Sequence, residues 1–435
     1  MMNGTPQIWP GFDGIDGTFH LAQNKLGFDI DRGHYRGVRV SKVTGRIDDL
    51  GNREGKLWID GRARGPLADM LHYVDDSSLG IMAKHATRKI DTKGDAALAL
   101  TLGIPRYRPP APLPPIKTDY KGSLTFGDND VRYGNLPSLT HLHGRADFAE
   151  KTITLTGLSA QLLGGDVRAK GGVKPDGSYT LNVNGRIGAD LAQRLDACIT
   201  PQTKLFLQRI TGTAPYELHV HGIKKALPLV QASSDLTGIG FDLPTPFGKA
   251  QGEPMPFSFS FAPLPQGSDD SNAPNDQDNL HDARLTLGPV QAHYLLQQIG
   301  QARVNVDPQN PAQPMDLRTR LKVVRGALAV KQPADLPSQG VSAVVNLNDL
   351  DADAWRKVFA DISADAQAQS PAAADAPRPP MSDAVRQFLP KRAAIHFTTL
   401  KLANRRWENV AIGAIETDRR WQANIASNQL SGYLA

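Results

Sequence analysis

The feature that most constrains this chain is an alternation of apolar and polar residues that recurs from one end of the sequence to the other. It is clearest in residues 19–21 (FHL), 181–183 (LNV) and 257–261 (FSFSF). Because successive side chains of a strand point to opposite sides of a sheet, this period predicts strands with one apolar and one wet face. Gly, Asn and Asp fall between the runs, as in hairpin turns. The pattern therefore predicts a mainly β fold, a long antiparallel meander with a few short capping helices.

Composition agrees with many short strands and excludes several classes of protein. The 40 glycines and 32 prolines of the 435 residues are spread along the chain in turn-like places. The 49 Lys and Arg residues are interleaved with 44 Asp and Glu residues, so no basic stripe for nucleic acid is visible. The single cysteine, Cys198, excludes an internal disulfide framework. The longest apolar run, residues 96–104, is much shorter than the ~20 residues that span a bilayer, and we expect neither a transmembrane segment nor an export signal.

Three stretches rich in Pro, Asp/Asn and Ala/Pro divide the chain into blocks of strands. The predicted order is a first β block at 1–105 with a short helix near 66–73, a Pro-rich linker at 106–117, a second β block at 118–265 with a short helix near 189–196, an Asp/Asn-rich loop at 266–282, a third β block at 283–362 with a helix near 352–362, an Ala/Pro-rich linker at 363–380, and the start of a further, truncated β block at 381–435.

Motifs that would indicate catalysis are missing from the sequence. It contains no Gly-x-Ser-x-Gly nucleophile elbow and no Gly-rich loop with phosphate-binding spacing. The pairs His141/His143 and His219/His221 each put two imidazoles on one side of a strand, a spacing that could chelate a metal, but each fits the wet face of a half-buried strand better. We predict no catalytic residues, no metal and no cofactor.

The remaining feature is the apolar side of the strands, which must be shielded from water. The residues that alternation assigns to it are Phe19, Leu21, Phe28, Ile30, Ile59, Leu155, Leu181, Val183, Leu218, Val220, Phe257, Phe259, Phe261, Leu285, Leu287, Ile395, Phe397 and Ile425. Two interpretations stay open. The strands could form a two-sheet sandwich that closes on itself, or a curved sheet whose apolar side is open to a ligand.

Four segments of the chain resemble the YhdP branch of the AsmA-like proteins of Gram-negative bacteria. They are residues 57–71 (LWIDGRARGPLADML) with 77–80 (SSLG), residues 232–250 (ASSDLTGIGFDLPTPFGKA), residues 347–355 (LNDLDADAW) and residues 426–433 (ASNQLSGY). The resemblance implies a long, twisted antiparallel β-sheet curved into an open groove, a repeating β-groove. The chain lacks that family's N-terminal anchor helix and stops at Ala435, so we expect an internal or truncated piece.

The same resemblance implies a function in lipid transport. Such proteins are bridge-like: they are held in the inner membrane, extend through the periplasm and conduct phospholipid towards the outer membrane. The implied partners are phospholipid acyl chains, the two membranes and other envelope proteins. The alternatives are an envelope scaffold of closed β-sandwich repeats without lipid and, more remotely, a polysaccharide-active enzyme whose paired carboxylates the sequence does not reveal.

Overall fold

The computed structural model describes residues 9–77, 80, 86–107, 117–134, 137–162, 164–188, 207–223, 226–264, 279–299, 321–369, 383–417 and 420–434. The chain divides into two compact units. The first is formed by residues up to Leu162 together with Asp166–Val183, and the second chiefly by residues from Asn184 onward. The described helices include none that is long and apolar enough to cross a bilayer.

The fold is mainly β, which confirms the prediction from alternation, and 23 strands lie within the described ranges. The strands up to residue 188 are β1 (Asp13–Ala22), β2 (Lys25–Tyr35), β3 (Val38–Ile47), β4 (Lys56–Pro66), β5 (Ile90–Lys93), β6 (Asp95–Pro105), β7 (Asp119–Tyr133), β8 (Leu139–Ala149), β9 (Thr152–Leu162), β10 (Gly165–Val173) and β11 (Tyr179–Gly188).

The remaining strands belong to the second unit. They are β12 (Ile210–Gly222), β13 (Leu229–Ser234), β14 (Ile239–Phe241), β15 (Phe257–Pro263), β16 (Leu280–Leu287), β17 (Val290–Gln298), β18 (Leu321–Val330), β19 (Gly340–Asp351), β20 (Arg392–Leu402), β21 (Arg405–Thr417), β22 (Arg420–Ala426) and β23 (Ser431–Leu434).

Pairing in the first unit is antiparallel and follows the chain with one interruption. β1, β2, β3 and β4 pair in sequence order, and so do β6, β7, β8 and β9. Helix α1 (Leu67–Asp76) and a 3-10 helix (Ala86–Lys89) follow β4, which pairs with β6, while the short strand β5 pairs with the end of β7. The predicted meander is therefore present within β1–β4 and within β6–β9, and it is interrupted between them, where α1 is inserted.

Pairing in the second unit departs from the prediction because it is not antiparallel throughout. β12, β13, β15, β16, β17 and β18 form antiparallel pairs in that order, and β14 pairs with β12. β18, β19 and β20 are parallel, and β20 to β23 are antiparallel again. Parallel neighbours need a crossover connection, which helices α2 (Ala352–Gln369) and α3 (Asp383–Arg386) supply between β19 and β20. Apolar alternation carries no information about strand direction.

The short helix predicted near 66–73 corresponds to α1. Its residues Leu67 and Met70 are buried against Val38 and Ala96, so the helix covers one end of the apolar side of β3 and β6. Asp69, in its first turn, accepts a hydrogen bond from the backbone N–H of Gly37 at 3.1 Å. This contact fixes the helix to the turn between β2 and β3.

Helix α2 begins where predicted and extends further. The Asp351 carboxylate accepts a hydrogen bond from the N–H of Ala354 at 2.8 Å, which satisfies a backbone donor of the first turn. The helix continues to Gln369, into the stretch predicted as a linker, because its alanines favour helix. The helix predicted near 189–196 lies outside the described residues, as do 108–116, 266–278 and 370–380.

Two of the segments that carry the family resemblance meet in the second unit. The indole N–H of Trp355, from residues 347–355, donates to the carbonyl of Thr245 at 2.9 Å, and its ring lies 5.8 Å from that of Phe247. Asp353 accepts hydrogen bonds from the N–H groups of Ala403 and Asn404 in the turn between β20 and β21. The polar residues of these segments thus hold α2 in place.

Lys249, near the end of the segment 232–250, has a structural role. Its side chain is only 7% exposed, and its ammonium donates to the backbone carbonyls of Leu236 at 3.0 Å, Ala250 at 3.2 Å and Ile239. Burial lowers the pKa of Lys249, and the negative charges of Glu253 and Asp235 partly oppose this shift. The ammonium therefore links the turn that carries Leu236 and Ile239 to the segment of Lys249, which an isolated antiparallel bridge to Phe241 also joins to β14.

Replacing Lys249 by Met removes this bridge while preserving most of the side-chain volume. We expect Lys249→Met to lower the free energy of unfolding by about 1–3 kcal/mol, because buried carbonyl groups lose their donor. Chemical denaturation of the chain measures the effect. Lys322→Met, at an exposed position of β18, is the matched control and should change stability by no more than about 0.5 kcal/mol. Equal stability of the two variants would contradict the role of Lys249.

Candidate functional site

The strand register of the first unit places the predicted apolar residues on one side of the sheet. Phe19 lies opposite Phe28, Phe28 opposite Gly45, and Gly45 opposite Ile59. Directly opposed residues of neighbouring strands share a face, so these positions form one row across β1 to β4. The row continues to Leu102 on β6 and Tyr120 on β7. Leu155 lies on the same side, through a parallel row formed with Leu98, Leu124 and Ala146.

A β-bulge keeps the row continuous through β3. Lys42 has a positive φ of 52°, and the register between β3 and β4 shifts between Ser41 and Thr44. The extra residue lets Val40, opposite Ala63, and Val43, whose side chain contacts Gly61, face the same side. Without it, one half of β3 would turn its apolar residues to the opposite face.

The second unit contains a longer row. Along it each residue lies opposite the next, through Phe257, Leu287, Val290, Val330, Val345, Ile395, Ile412 and Ile425. Eight neighbouring strands thus contribute only large apolar side chains at this level. A second row passes through Leu218, Ala232, Phe259, Leu285, Ala292 and Leu328, and a third through Val220, Val230, Phe261 and Ala283. All three rows share one face because their members are two residues apart along each strand.

Sequence reasoning missed four members of the long row, Val290, Val330, Val345 and Ile412. Their alternation is visible in the sequence, but Val330 and Val345 become neighbours only through the parallel pairing of β18 with β19. Leu181 and Val183, both on β11, were predicted to lie on the apolar side as well. Their role in lipid contact, like that of the other predicted positions, stays a prediction.

The apolar side is neither fully covered nor fully open. Of the 18 predicted residues, Phe19 and Leu21 are 64% and 65% exposed, and Val183 and Phe397 are 8% and 7% exposed. The other fourteen are half-buried. They are Phe28, Ile30, Ile59, Leu155, Leu181, Leu218, Val220, Phe257, Phe259, Phe261, Leu285, Leu287, Ile395 and Ile425.

Local clusters account for the covered parts of the second unit. Phe257 and Leu287 pack against the buried residues Leu236, Ile239 and Met255. At the other end of the long row, Val330, Val345, Ile395 and Ile412 pack against the cluster of Leu347, Phe397, Leu400 and Val410. Phe259, Leu285 and Ile425 belong to neither cluster.

Aromatic rings lie over glycines at three positions of the apolar side. Phe28 covers Gly45, Phe148 covers Gly122, and Tyr294 covers Gly326, each pair being directly opposed across two strands. A Cβ at any of these glycines would collide with the ring. Each ring therefore lies against the backbone of the glycine opposite it.

The opposite side of the sheet is polar where β13, β15 and β16 pair. In the second unit it presents Gln231, Ser233, Ser258 and Arg284, all exposed. Asp282 accepts hydrogen bonds from Arg284 at 2.8 Å and faces His293 at 2.5 Å. Burial would raise the pKa of Asp282, but the hydrogen bonds and charges of these two partners outweigh it and hold the pKa below its usual range.

The histidine pairs do not form a larger cluster in the described part of the chain. The Asp128 carboxylate lies 2.9 Å from His141 Nδ1 and 3.7 Å from His143 Nε2, with all three side chains exposed. His219 lies 3.9 Å from Glu217. No group of three or more His, Cys, Asp or Glu side chains in the described ranges is arranged to hold a metal ion.

One histidine lies on the apolar side itself. His281 is 5% exposed and its ring stacks on that of Phe261 at 5.0 Å. Burial lowers the pKa of His281, although a hydrogen bond to the backbone carbonyl of Asn279 opposes the shift. The imidazole is therefore neutral at neutral pH, and this part of the apolar side carries no charge.

The lowered pKa predicts acid sensitivity. An unfolded histidine takes up a proton below about pH 6.5, whereas His281 in the fold resists it, so the stability that neutral His281 confers is present above pH 6.5 and is lost as the pH falls below that value. We expect His281→Gln to lose less stability than the parent chain between pH 7 and 5. Denaturation at several pH values tests this, with exposed His34→Gln as the control. Parallel pH profiles for parent and His281→Gln would contradict the assignment.

The chain matches the family model described as YhdP protein over residues 6–435. No curated protein and no solved structure matches it. The match covers nearly the whole chain and includes both units and all four segments that carry the resemblance. The chain therefore belongs to the YhdP protein family.

Proposed function

We propose that this chain is a section of a periplasmic, bridge-like protein that conducts phospholipid between the inner and outer membranes. In the whole protein an inner-membrane anchor would hold it. Acyl chains would lie along the apolar rows, and head groups would stay in water. The observation that carries the proposal is the row of eight large apolar residues on consecutive strands of the second unit, which includes Leu287, Ile395 and Ile425.

The free energy of exposing acyl chains to water and the length of the row both support an apolar path of this kind. A phospholipid carries on the order of thirty methylenes, and at ~0.8 kcal/mol each their exposure to water would cost roughly 24 kcal/mol. Seven gaps of about 4.8 Å give the row a length of roughly 34 Å, similar to the ~30 Å hydrocarbon core that two acyl chains fill end to end. A row of this length offers continuous contact to a full acyl chain.

Half-burial of the apolar rows supports an apolar side that is accessible to lipid. A closed sandwich would bury its inner face almost completely, because interiors pack as densely as organic crystals. Here Phe259, Leu285 and Ile425 remain half-buried and lie outside both neighbouring clusters. These positions are where an acyl chain would replace water with the least rearrangement of the protein.

Phe259→Asp tests the path directly. A charge at a lipid-facing strand position costs ~2–4 kcal/mol for Lys or Arg and less for Asp, so we expect phospholipid that co-purifies with the chain to fall at least several-fold. Lipid extraction with mass spectrometry measures it, and circular dichroism checks that the strands persist. Ser258→Asp, the exposed neighbour on the polar side, is the matched control and should retain lipid. Equal lipid in both variants would refute the path, and a parent chain without phospholipid would favour the scaffold.

Thiol protection provides an independent test. In a Cys198→Ser background, Ile425→Cys places a thiol on the apolar side and Ala426→Cys places one on the polar side of the same strand. We expect added phospholipid to slow labelling of Ile425→Cys by a water-soluble maleimide several-fold and to leave Ala426→Cys unchanged. If lipid protects both thiols equally, binding is not confined to the apolar side.

A further inference from the structure

Three arginines come together on the polar side of β3 and β4. Arg39 lies directly opposite Arg64, and Arg62 lies two residues before Arg64 on the same side of β4. Directly opposed residues have Cβ atoms about 4.5–5.5 Å apart, and residues two apart on a strand are separated by about 6.6 Å. All three side chains are exposed. Three guanidinium groups can therefore converge on one point above the sheet.

This arrangement is unfavourable for the chain alone, since like charges directly opposite each other destabilise a strand pair. Neighbouring arginines have carboxylate partners: Arg32 lies 2.9 Å from Asp16, and Arg46 lies 3.6 Å from Asp48. No described carboxylate lies within ion-pair distance of Arg39, Arg62 or Arg64.

The surroundings leave this cluster open and net positive. On β6 the residues opposite Arg64 and Arg62 are Ala97 and Ala99, both exposed, so no large side chain obstructs the guanidinium groups. On β2, His34 lies opposite Arg39, and Asp13 of β1 lies opposite His34 at the far edge. Two acids flank the cluster on the same side: Asp60 of β4, which accepts a hydrogen bond from Thr101 at 2.6 Å, and exposed Asp95 of β6, which lies opposite Pro66.

We propose that Arg39, Arg62 and Arg64 form a binding site for a phosphomonoester. The guanidinium fork matches phosphate oxygens in a bidentate manner, and a dianion placed between Arg39 and Arg64 turns their repulsion into attraction to a common partner. Three cations in so small an area favour the monoester, which carries up to two negative charges, over a diester, which carries one. The site lies on the side of the sheet opposite the apolar rows, so it does not depend on the proposed lipid path.

The test uses phenyl phosphate as the probe at pH 8, where the monoester is fully dianionic. Titration calorimetry and thermal unfolding of the full chain are measured at matched ionic strength, with sodium chloride as the reference salt. We expect binding and a rise in melting temperature with phenyl phosphate, and much weaker binding of dimethyl phosphate, a diester. Arg39→Gln and Arg64→Gln should each weaken binding about tenfold or more. Neither should lower the melting temperature without the ligand, because each removes a like-charge contact.

Arg46→Gln is the matched control, since Arg46 is exposed on the polar side of the same strand and already has a carboxylate partner. It should bind phenyl phosphate like the parent chain. Equal binding by all variants, or no binding by the parent, would overturn the site. Vesicles containing phosphatidylglycerol form a further arm. If they bind more tightly than phenyl phosphate, and Arg39→Gln abolishes that binding, the cluster recognises a bilayer surface and the phosphomonoester assignment is wrong.

Discussion

Cross-strand register is the constraint on which the rest of this structure depends. Each strand has one apolar side, but a strand can bury that side only if its neighbours present theirs at the same level. The hydrogen-bonded ladders enforce this from Phe19 to Tyr120 in the first unit and from Phe257 to Ile425 in the second. A slip of one residue in any pair would transfer half of a row to the polar side. The bulge at Lys42 shows that the register is corrected locally where β3 would otherwise fall out of step.

Two different chemistries follow from the two sides of the same strands. β4 places Ile59, Gly61 and Ala63 on the apolar side, and the alternate residues Arg62 and Arg64 on the polar side. The same alternation that lines a path for hydrocarbon therefore assembles cations on the other face. The sheet itself, with its backbone groups satisfied by the ladders, separates the two environments over the thickness of one strand layer.

The helices and polar motifs serve mainly to hold this arrangement. Asp351 caps α2 while Asp353 binds the turn between β20 and β21, and Trp355 reaches the carbonyl of Thr245. These residues lie in the segments that resemble the YhdP family, so the resemblance rests largely on residues that position helices and turns. The apolar rows, which carry the proposed function, consist of interchangeable large apolar residues and contribute little to a recognisable motif.

Strand identity and the apolar side could be predicted from the sequence because both depend on a period of two that any half-buried strand must show. The helices that begin at Leu67 and Ala352 could also be predicted from the sequence, since apolar spacing and, for the second helix, the acidic cap Asp351 are local signals. The length of α2 was underestimated, because an alanine-rich stretch with polar residues is typical of both a linker and a helix end.

What the sequence by itself determined is which residues each strand turns to which side, because that depends only on the geometry of a single extended chain. The tertiary structure decided which strands are neighbours. It joined Val330 to Val345 through parallel pairing, brought Arg39 opposite Arg64, and buried Lys249 among carbonyl groups. These contacts join residues that loops, turns or helices separate along the chain. The sequence does not determine them, because the alternation of apolar and polar residues in a strand is the same whichever strand it pairs with.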